Sequence, residues 1–188
     1  MTVAVLPDPP ARIHFIGIGG IGMSGLASVL HEQGYVVTGS DSGSNAQTGQ
    51  LAQRGVVIQR GHERTENAAN AQLVVMTAAV KDNPEIVAAR DAGVPIMKRA
   101  LLLGLLAQQK TSIAVAGSHG KSTTSGMLVT ALDALGAAPS YFVGAVVESS
   151  GSNAAWTTGE HIVIEADEYD RSFWTLHPDI AIVTNIEF

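Results

Sequence analysis

Two glycine turns, each set between a strand-like run and a helix-like run, constrain this chain more than any other feature. The first follows Ile13-His14-Phe15-Ile16-Gly17-Ile18 and places Gly17, Gly19, Gly20 and Gly22 before a helical pattern from Met23 to Gln33, which stops at Gly34. Strand, glycine turn and helix in that order let a backbone approach a diphosphate closely, with N–H groups and the helix N-terminus supplying positive potential. Ile21 and Met23 sit within this turn, and Ser24, in the first helical turn, is a candidate hydroxyl donor. Asp41 lies nineteen residues after Gly22 at the end of the next strand-like run, where a carboxylate can accept hydrogen bonds from a ribose. The motif identifies a phosphate and leaves open whether the ligand is a dinucleotide such as NAD or another nucleotide.

The second turn is more specific. Thr111 to Ala116 reads as a strand and leads into Gly117-Ser118-His119-Gly120-Lys121-Ser122-Thr123-Thr124. In a loop of this kind backbone N–H groups wrap a β-phosphate, the lysine reaches the β- and γ-phosphates, and the following hydroxyl ligates Mg²⁺. ATP with Mg²⁺ is therefore the expected cofactor pair, held by Gly117, Ser118, His119, Gly120, Lys121, Ser122 and Thr123. The full P-loop spacing would need glycine at position 115, where this chain has Val115. His119 lies inside the loop as a candidate phosphate-contacting or substrate-facing group. The other histidines, His14, His31, His62, His161 and His177, are scattered and read as surface or strand-edge residues.

A third signal is the acidic end of the run His161-Ile162-Val163-Ile164, which continues as Glu165-Ala166-Asp167-Glu168-Tyr169-Asp170. Four carboxylates in six residues repel one another unless a cation sits among them. Mg²⁺ beside ATP would serve, and a period of two puts Glu165 and Asp167 on one side. The competing reading is a solvated acidic turn with Arg171 as partner.

Between these motifs the pattern alternates. Tyr35 to Gly39, Val56 to Gln59, Leu73 to Met76 and Pro95 to Met97 read as strands, and Gln47 to Arg54, Pro84 to Ala92 and Arg99 to Gln109 as helices. After the second glycine turn a helix from Lys121 to Leu135 is followed by strands at Ser140 to Val143, Ile162 to Glu165 and Ile180 to Thr184. Such alternation predicts a parallel sheet covered on both faces. The fold class is α/β: a Rossmann-like parallel-sheet domain over residues 1–109, then the first part of a P-loop α/β domain over residues 110–188. Glu148 to Glu160, rich in Ser, Gly, Thr and Asn, is expected to be a loop or mobile flap. The chain stops directly after a strand, as a fragment of a longer α/β domain would.

At 188 residues with 46% hydrophobic, the chain can bury a real core. Its formal charge of −6 argues against a nucleic-acid partner, whose binding surface is normally basic. The absence of cysteine excludes disulfides and thiolate metal sites. No apolar run reaches the roughly 18 residues of a membrane span, and the start is not a secretory signal, so a soluble cytoplasmic protein is expected.

Taken together, Gly17 to Gly25, Gly117 to Thr124, and Glu165-Ala166-Asp167-Glu168 with Thr184-Asn185-Ile186-Glu187 resemble the Mur ligases in order and spacing. The resemblance is strongest to the branch that joins L-alanine to UDP-N-acetylmuramate. It implies ATP-dependent amide synthesis for peptidoglycan, in which ATP activates the muramic carboxylate as an acyl phosphate and the alanine amine displaces phosphate. By motif match, Lys121 neutralises the γ-phosphate, Ser122 takes the place of the family's usual Thr on Mg²⁺, and Glu165 is the Mg²⁺ carboxylate. Gly17, Gly19, Gly20, Ile21, Gly22, Met23 and Ser24 would hold the UDP diphosphate with Asp41 near the nucleoside. Thr77-Ala78-Ala79-Val80 and Asn83-Pro84-Glu85 resemble the family's substrate edge. Asn153-Ala154 resembles a stretch that approaches the sugar acid, but Ala155 and Trp156 follow where many members carry a basic residue. The Asp-His element, adenine pocket and third domain of the family are not in this sequence, so ligand binding without turnover is expected. Another Mur-type ligase, an NAD-dependent dehydrogenase or redox sensor, and a non-catalytic nucleotide-binding module are the alternatives.

Overall fold

The computed structural model describes residues 5–77, 80, 82–166 and 173–187, and its contacts divide the chain into two compact units, Met1–Leu102 and Leu103–Phe188. The expected contributions of Ala78, Ala79, Asp167, Glu168, Tyr169, Asp170 and Arg171 lie outside the described residues.

The first unit runs β1 (Arg12–Ile16), α1 (Ile21–Glu32), β2 (Val36–Asp41), α2 (Ala46–Gln53), β3 (Val57–Arg60), α3 (Glu66–Ala69), β4 (Leu73–Met76), α4 (Pro84–Asp91) and β5 (Ile96–Lys98); α5 (Arg99–Ala107) follows and contains the division between the units. Its five strands form an all-parallel sheet in the order β3-β2-β1-β4-β5. The central strands are covered on both faces, which is why they read as nearly unbroken apolar runs: Ile13, Phe15, Ile16, Leu73, Val74 and Val75 are all fully buried. Local chemistry sets the helix starts. Asn45 caps α2 in a reciprocal capping box with Thr48, and Asn83 accepts from the Glu85 N–H ahead of Pro84 at the first position of α4. The strand order reverses direction between β1 and β4, and in open parallel sheets the crevice for ligands lies at the C-terminal ends of the strands at such a reversal. The first glycine turn leaves β1 at that place.

One histidine departs from expectation. His14, taken from the sequence as a surface or edge residue, is fully buried in the middle of β1. Its imidazole is kept inside by polar partners, Thr38 Oγ1 at Nδ1 and Glu85 Oε1 at Nε2, each 2.8 Å away.

The second unit contains β6 (Thr111–Ala116), α6 (Lys121–Ala134), β7 (Ser140–Val147), β8 (Ser152–Ala155), β9 (His161–Glu165) and β10 (Ile180–Val183), in the sheet order β10-β6-β9-β7-β8. Pairing is parallel except for β7 with β8, so this sheet is mixed rather than purely parallel. The expected loop over 148–160 is thus corrected: part of it is strand β8, folded back against β7. Ser-Asn-Ala-Ala has little intrinsic strand preference and no apolar alternation. Pairing with the β7 edge makes the strand, with Tyr141 opposite Ala155, Phe142 opposite Ala154, and a bulge before Val147 meets Ser152. Beyond β8, Lys110 donates to the carbonyls of Thr157, at 3.0 Å, and Gly159, and stands 4.9 Å from the centre of the Trp156 ring. Burial lowers the Lys110 pKa from its usual value. Among the described residues no helix is long and apolar enough to cross a membrane.

Candidate functional site

In the first unit the sheet edge itself holds the glycine turn. The Ser40 carbonyl, on β2, accepts from the Gly17 N–H at 2.8 Å and the Ile18 N–H at 3.0 Å. Gly17 has φ +80°, a left-handed conformation that strains any residue with a side chain and lets the chain leave β1 sharply. α1 then starts on Gly20, which has no side chain to cap the helix. Asp41 is turned onto the loop: Oδ2 accepts from the Gly19 N–H at 2.8 Å and Oδ1 from the Gly43 N–H at 3.1 Å. Asn45 closes the other side, its Nδ2 donating to the Gly19 carbonyl at 3.0 Å. A Cβ on Gly19 would stand 2.8 Å from Asp41 Oδ2, and one on Gly22 would stand 2.8 Å from the Arg99 guanidinium.

The structure therefore brings Gly17, Gly19, Gly20, Ile21, Gly22, Met23, Ser24 and Asp41 to one edge of the sheet, but it directs the Ser24 hydroxyl inward. Ser24 is buried and its hydroxyl donates to the Ile21 carbonyl at 3.0 Å. Thr77 stands at the end of β4, beside β1 in the same sheet.

In the second unit the phosphate-type loop joins β6 to α6, with left-handed Gly120 (φ +81°) preceding the helix and Gly117 at φ +135°. Lys121 Nζ donates to the Gly117 carbonyl at 2.7 Å, folding the side chain back over its own loop. β9 lies beside β6 in the sheet, so its terminal Glu165 emerges next to the loop. The Ser122 hydroxyl donates to Glu165 Oε1 at 3.0 Å, and Glu165 Oε2 accepts from the Gly144 N–H at 2.7 Å. The segment after β10 closes the loop from the opposite flank. Asn185 Oδ1 accepts from the His119 N–H at 2.9 Å, the Thr184 hydroxyl lies 2.6 Å from the His119 carbonyl, and His119 Nε2 stands 3.2 Å from Glu187 Oε1. Ser118 Oγ accepts from the Glu187 N–H at 3.2 Å, and Thr123 is exposed on the first turn of α6.

Sequence reasoning named Asn185 and Glu187 only within the stretch that carries the family resemblance, without a role, and missed Ser40, Asn45 and Gly144. Ser40 and Gly144 act through main-chain atoms, which no side-chain pattern marks. Asn45 and Asn185 do carry a signal, an amide at a helix start and an amide after a strand, but their partners are 26 and 66 residues away.

A Rossmann-like α/β unit is followed in the same chain by a second α/β unit with its own strand-loop-helix glycine turn and an acidic neighbouring strand end. The chain belongs to the Mur ligase family: the family model described as "Mur ligase family, catalytic domain" matches residues 12–111. It is similar to the UDP-N-acetylmuramate--L-alanine ligase of Methylobacterium sp. (strain 4-46), 48% identical over 97% of this chain and 39% of the relative, and to that of Leptothrix cholodnii, 46% identical over 94% and 38%. The chain thus spans about 39% of the length of the curated relatives it matches. Among solved structures, UDP-N-acetylmuramate-alanine ligase MurC from Thermotoga maritima aligns with a TM-score of 0.86 and 36% identity over 94% of this chain and 42% of that one. The UDP-N-acetylmuramate:L-alanyl-gamma-D-glutamyl-meso-diaminopimelate ligase from Neisseria meningitides gives 0.86 and 31% over 95% and 61%.

Proposed function

We propose that this chain is the nucleotide-holding part of an ATP-dependent amide ligase that joins L-alanine to UDP-N-acetylmuramate in peptidoglycan precursor synthesis. The first unit, here residues 1–109, holds the uridine diphosphate, and residues 110–188 hold the triphosphate of ATP. The observation that carries this reading is the second loop. A lysine folded over a glycine turn, with a hydroxyl and a carboxylate converging beside it, has no packing purpose and suits a metal-bound triphosphate.

Ser122 Oγ and Glu165 Oε1, 3.0 Å apart, form a hard-oxygen pair of the type Mg²⁺ takes. Mg²⁺ held there would neutralise phosphate charge as the muramic carboxylate is phosphorylated. Lys121 would exchange the Gly117 carbonyl for phosphate oxygens, and Gly117, Ser118, His119, Gly120 and Thr123 would wrap the phosphates. His119 holds its loop against Asn185 and Glu187 and so positions the turn that carries Lys121. In the first unit Gly17 to Ser24 face the diphosphate, Asp41 and Thr77 its nucleoside and sugar sides. Positioning and charge neutralisation of this kind are the main contributions a protein makes to phosphoryl transfer. The reaction places the protein with soluble substrates, in the cytoplasm.

Calorimetric titration with UDP-N-acetylmuramate tests the reading, with NADH as control and Gly19→Asp as the site variant. Binding of the uridine ligand that disappears in the variant, with no NADH binding, is the expected result. NADH binding without uridine-ligand binding overturns it in favour of a redox protein.

A further inference from the structure

The first unit buries a carboxylate that the proposed chemistry does not use. Glu85, in the first turn of α4, is fully buried, and four side chains donate to it. Oε1 receives His14 Nε2 and Gln59 Nε2, both at 2.8 Å, and Oε2 receives the Ser40 hydroxyl at 2.5 Å and His62 Nδ1 at 2.8 Å. These donors come from β1, β2, β3 and the turn after β3. Burial alone would raise the pKa of this carboxyl, but hydrogen bonds from His14, Ser40 and His62 and the charge of His14 outweigh it, and the pKa lies below the ordinary glutamate value. Glu85 is therefore an anion at neutral pH and can only accept.

An acceptor-only carboxylate fixes its neighbours. Facing Glu85, His62 must carry its proton on Nδ1, which leaves Nε2 as an acceptor in the neutral ring. Nε2 has no partner among the described residues and is not among the buried unpaired atoms, and the side chain is 27% exposed. His62 follows Gly61, whose N–H donates to the Asp41 carbonyl at 2.8 Å, so the ring stands on the same sheet edge as Asp41. Ser40 extends the chain of contacts: its hydroxyl is on Glu85 and its carbonyl holds the N–H groups of Gly17 and Ile18.

We infer that Glu85 is a positioning residue for the nucleoside end of the first-unit site: it locks the His62 imidazole in the Nδ1–H form and presents Nε2 as an acceptor for a hydroxyl or imide N–H of the ligand. This rests on the uridine-nucleotide reading of that unit. A carboxylate kept only for packing would be replaceable by an apolar side chain, whereas this one dictates a tautomer at a sheet edge that bears a ligand loop.

The test reads the tautomer and the affinity separately. Long-range ¹⁵N correlation spectra of the chain at pH 7.5 are expected to show His62 as Nδ1–H; an Nε2–H ring overturns the inference whatever the ligand does. Glu85→Gln is expected to average the His62 signals and weaken UDP binding about tenfold, with Glu85→Asp restoring part of both. His62→Ala should cost a similar factor, and the double variant Glu85→Gln/His62→Ala no more than Glu85→Gln alone, because the two residues act in series. Additive losses, or unchanged UDP affinity in a folded Glu85→Gln protein, overturn the inference. 2′-Deoxy-UDP and N3-methyl-UDP identify the donor, since only the analogue lacking it becomes insensitive to His62→Ala. Should the unsubstituted chain bind no UDP while His62 is Nδ1–H, the functional reading fails and the positioning geometry stands.

Discussion

Ser122 and Glu165, on α6 and β9, meet at 3.0 Å with the hydroxyl donating to a carboxylate whose other oxygen is held by the Gly144 N–H. The second hydrogen bond matters as much as the first, because it fixes the carboxylate plane before any ligand arrives. Glu165→Gln keeps the shape and removes the charge. We expect ATP affinity in this variant to lose its dependence on Mg²⁺, measured by titration with and without the metal. Stability should change by less than about 1 kcal/mol, because the Gly144 N–H is exposed and water or the amide oxygen can satisfy it.

Lys121 is folded onto the Gly117 carbonyl, a neutral acceptor that a triphosphate can displace. Lys121→Met retains the aliphatic stem and deletes the cation. A hydrogen bond to a charged group is worth about 1.5–3 kcal/mol, so ATP affinity should fall about tenfold to a hundredfold. UDP-ligand affinity, read in the same titration series, should be unchanged; an equal loss of both would show a general folding defect.

How much of this was legible beforehand differs between backbone and side chains. Leu73–Met76 and Thr111–Ala116 were readable to the residue, since both are short runs between turn signals and both pair in parallel with a strand on each side. α3 was not, because four residues give no helical period, and β8 was not, because its strand state comes from pairing with β7. At the site, both glycine turns were visible from composition and spacing. Asp41 stands at the end of β2, as read, but its seat on the Gly19 N–H was not foreseen, since a main-chain donor leaves no mark in the side-chain pattern. His14 was misread because its burial depends on Glu85, 71 residues away, and a single histidine in an apolar strand gives no hint of that partner.

Glu85 also sets an acid limit. Its pKa is lowered in the folded chain, so its contribution to stability is fully present above the ordinary glutamate value of 4.5 and is lost as pH falls through the folded value. Thermal melts of the first unit between pH 6 and pH 3 should therefore show Tm falling progressively below about pH 4.5. Glu85→Gln should be less stable than the parent at pH 6 and should converge with it at pH 3. Parallel curves across the range would show that the carboxyl does not titrate in this way.

Gly39 packs directly against Ile18 in the first unit. A Cβ on Gly39 would stand 2.8 Å from the Ile18 Cβ, and Ile18 is fully buried, so neither side can give way into solvent. Gly39→Ala should destabilise the unit by about 1–3 kcal/mol, the usual cost of overpacking, seen as a shift in the denaturation midpoint at unchanged slope. The consequence should reach the ligand as well. Ile18 is part of the glycine turn, and its N–H is held by the Ser40 carbonyl next to Gly39, so relief by moving Ile18 displaces the loop that faces the diphosphate. UDP-ligand affinity should fall with stability, and Ile18→Ala in the Gly39→Ala background should recover part of both by removing the side-chain atoms beyond Cβ. Recovery of stability without affinity would instead place the ligand away from this turn.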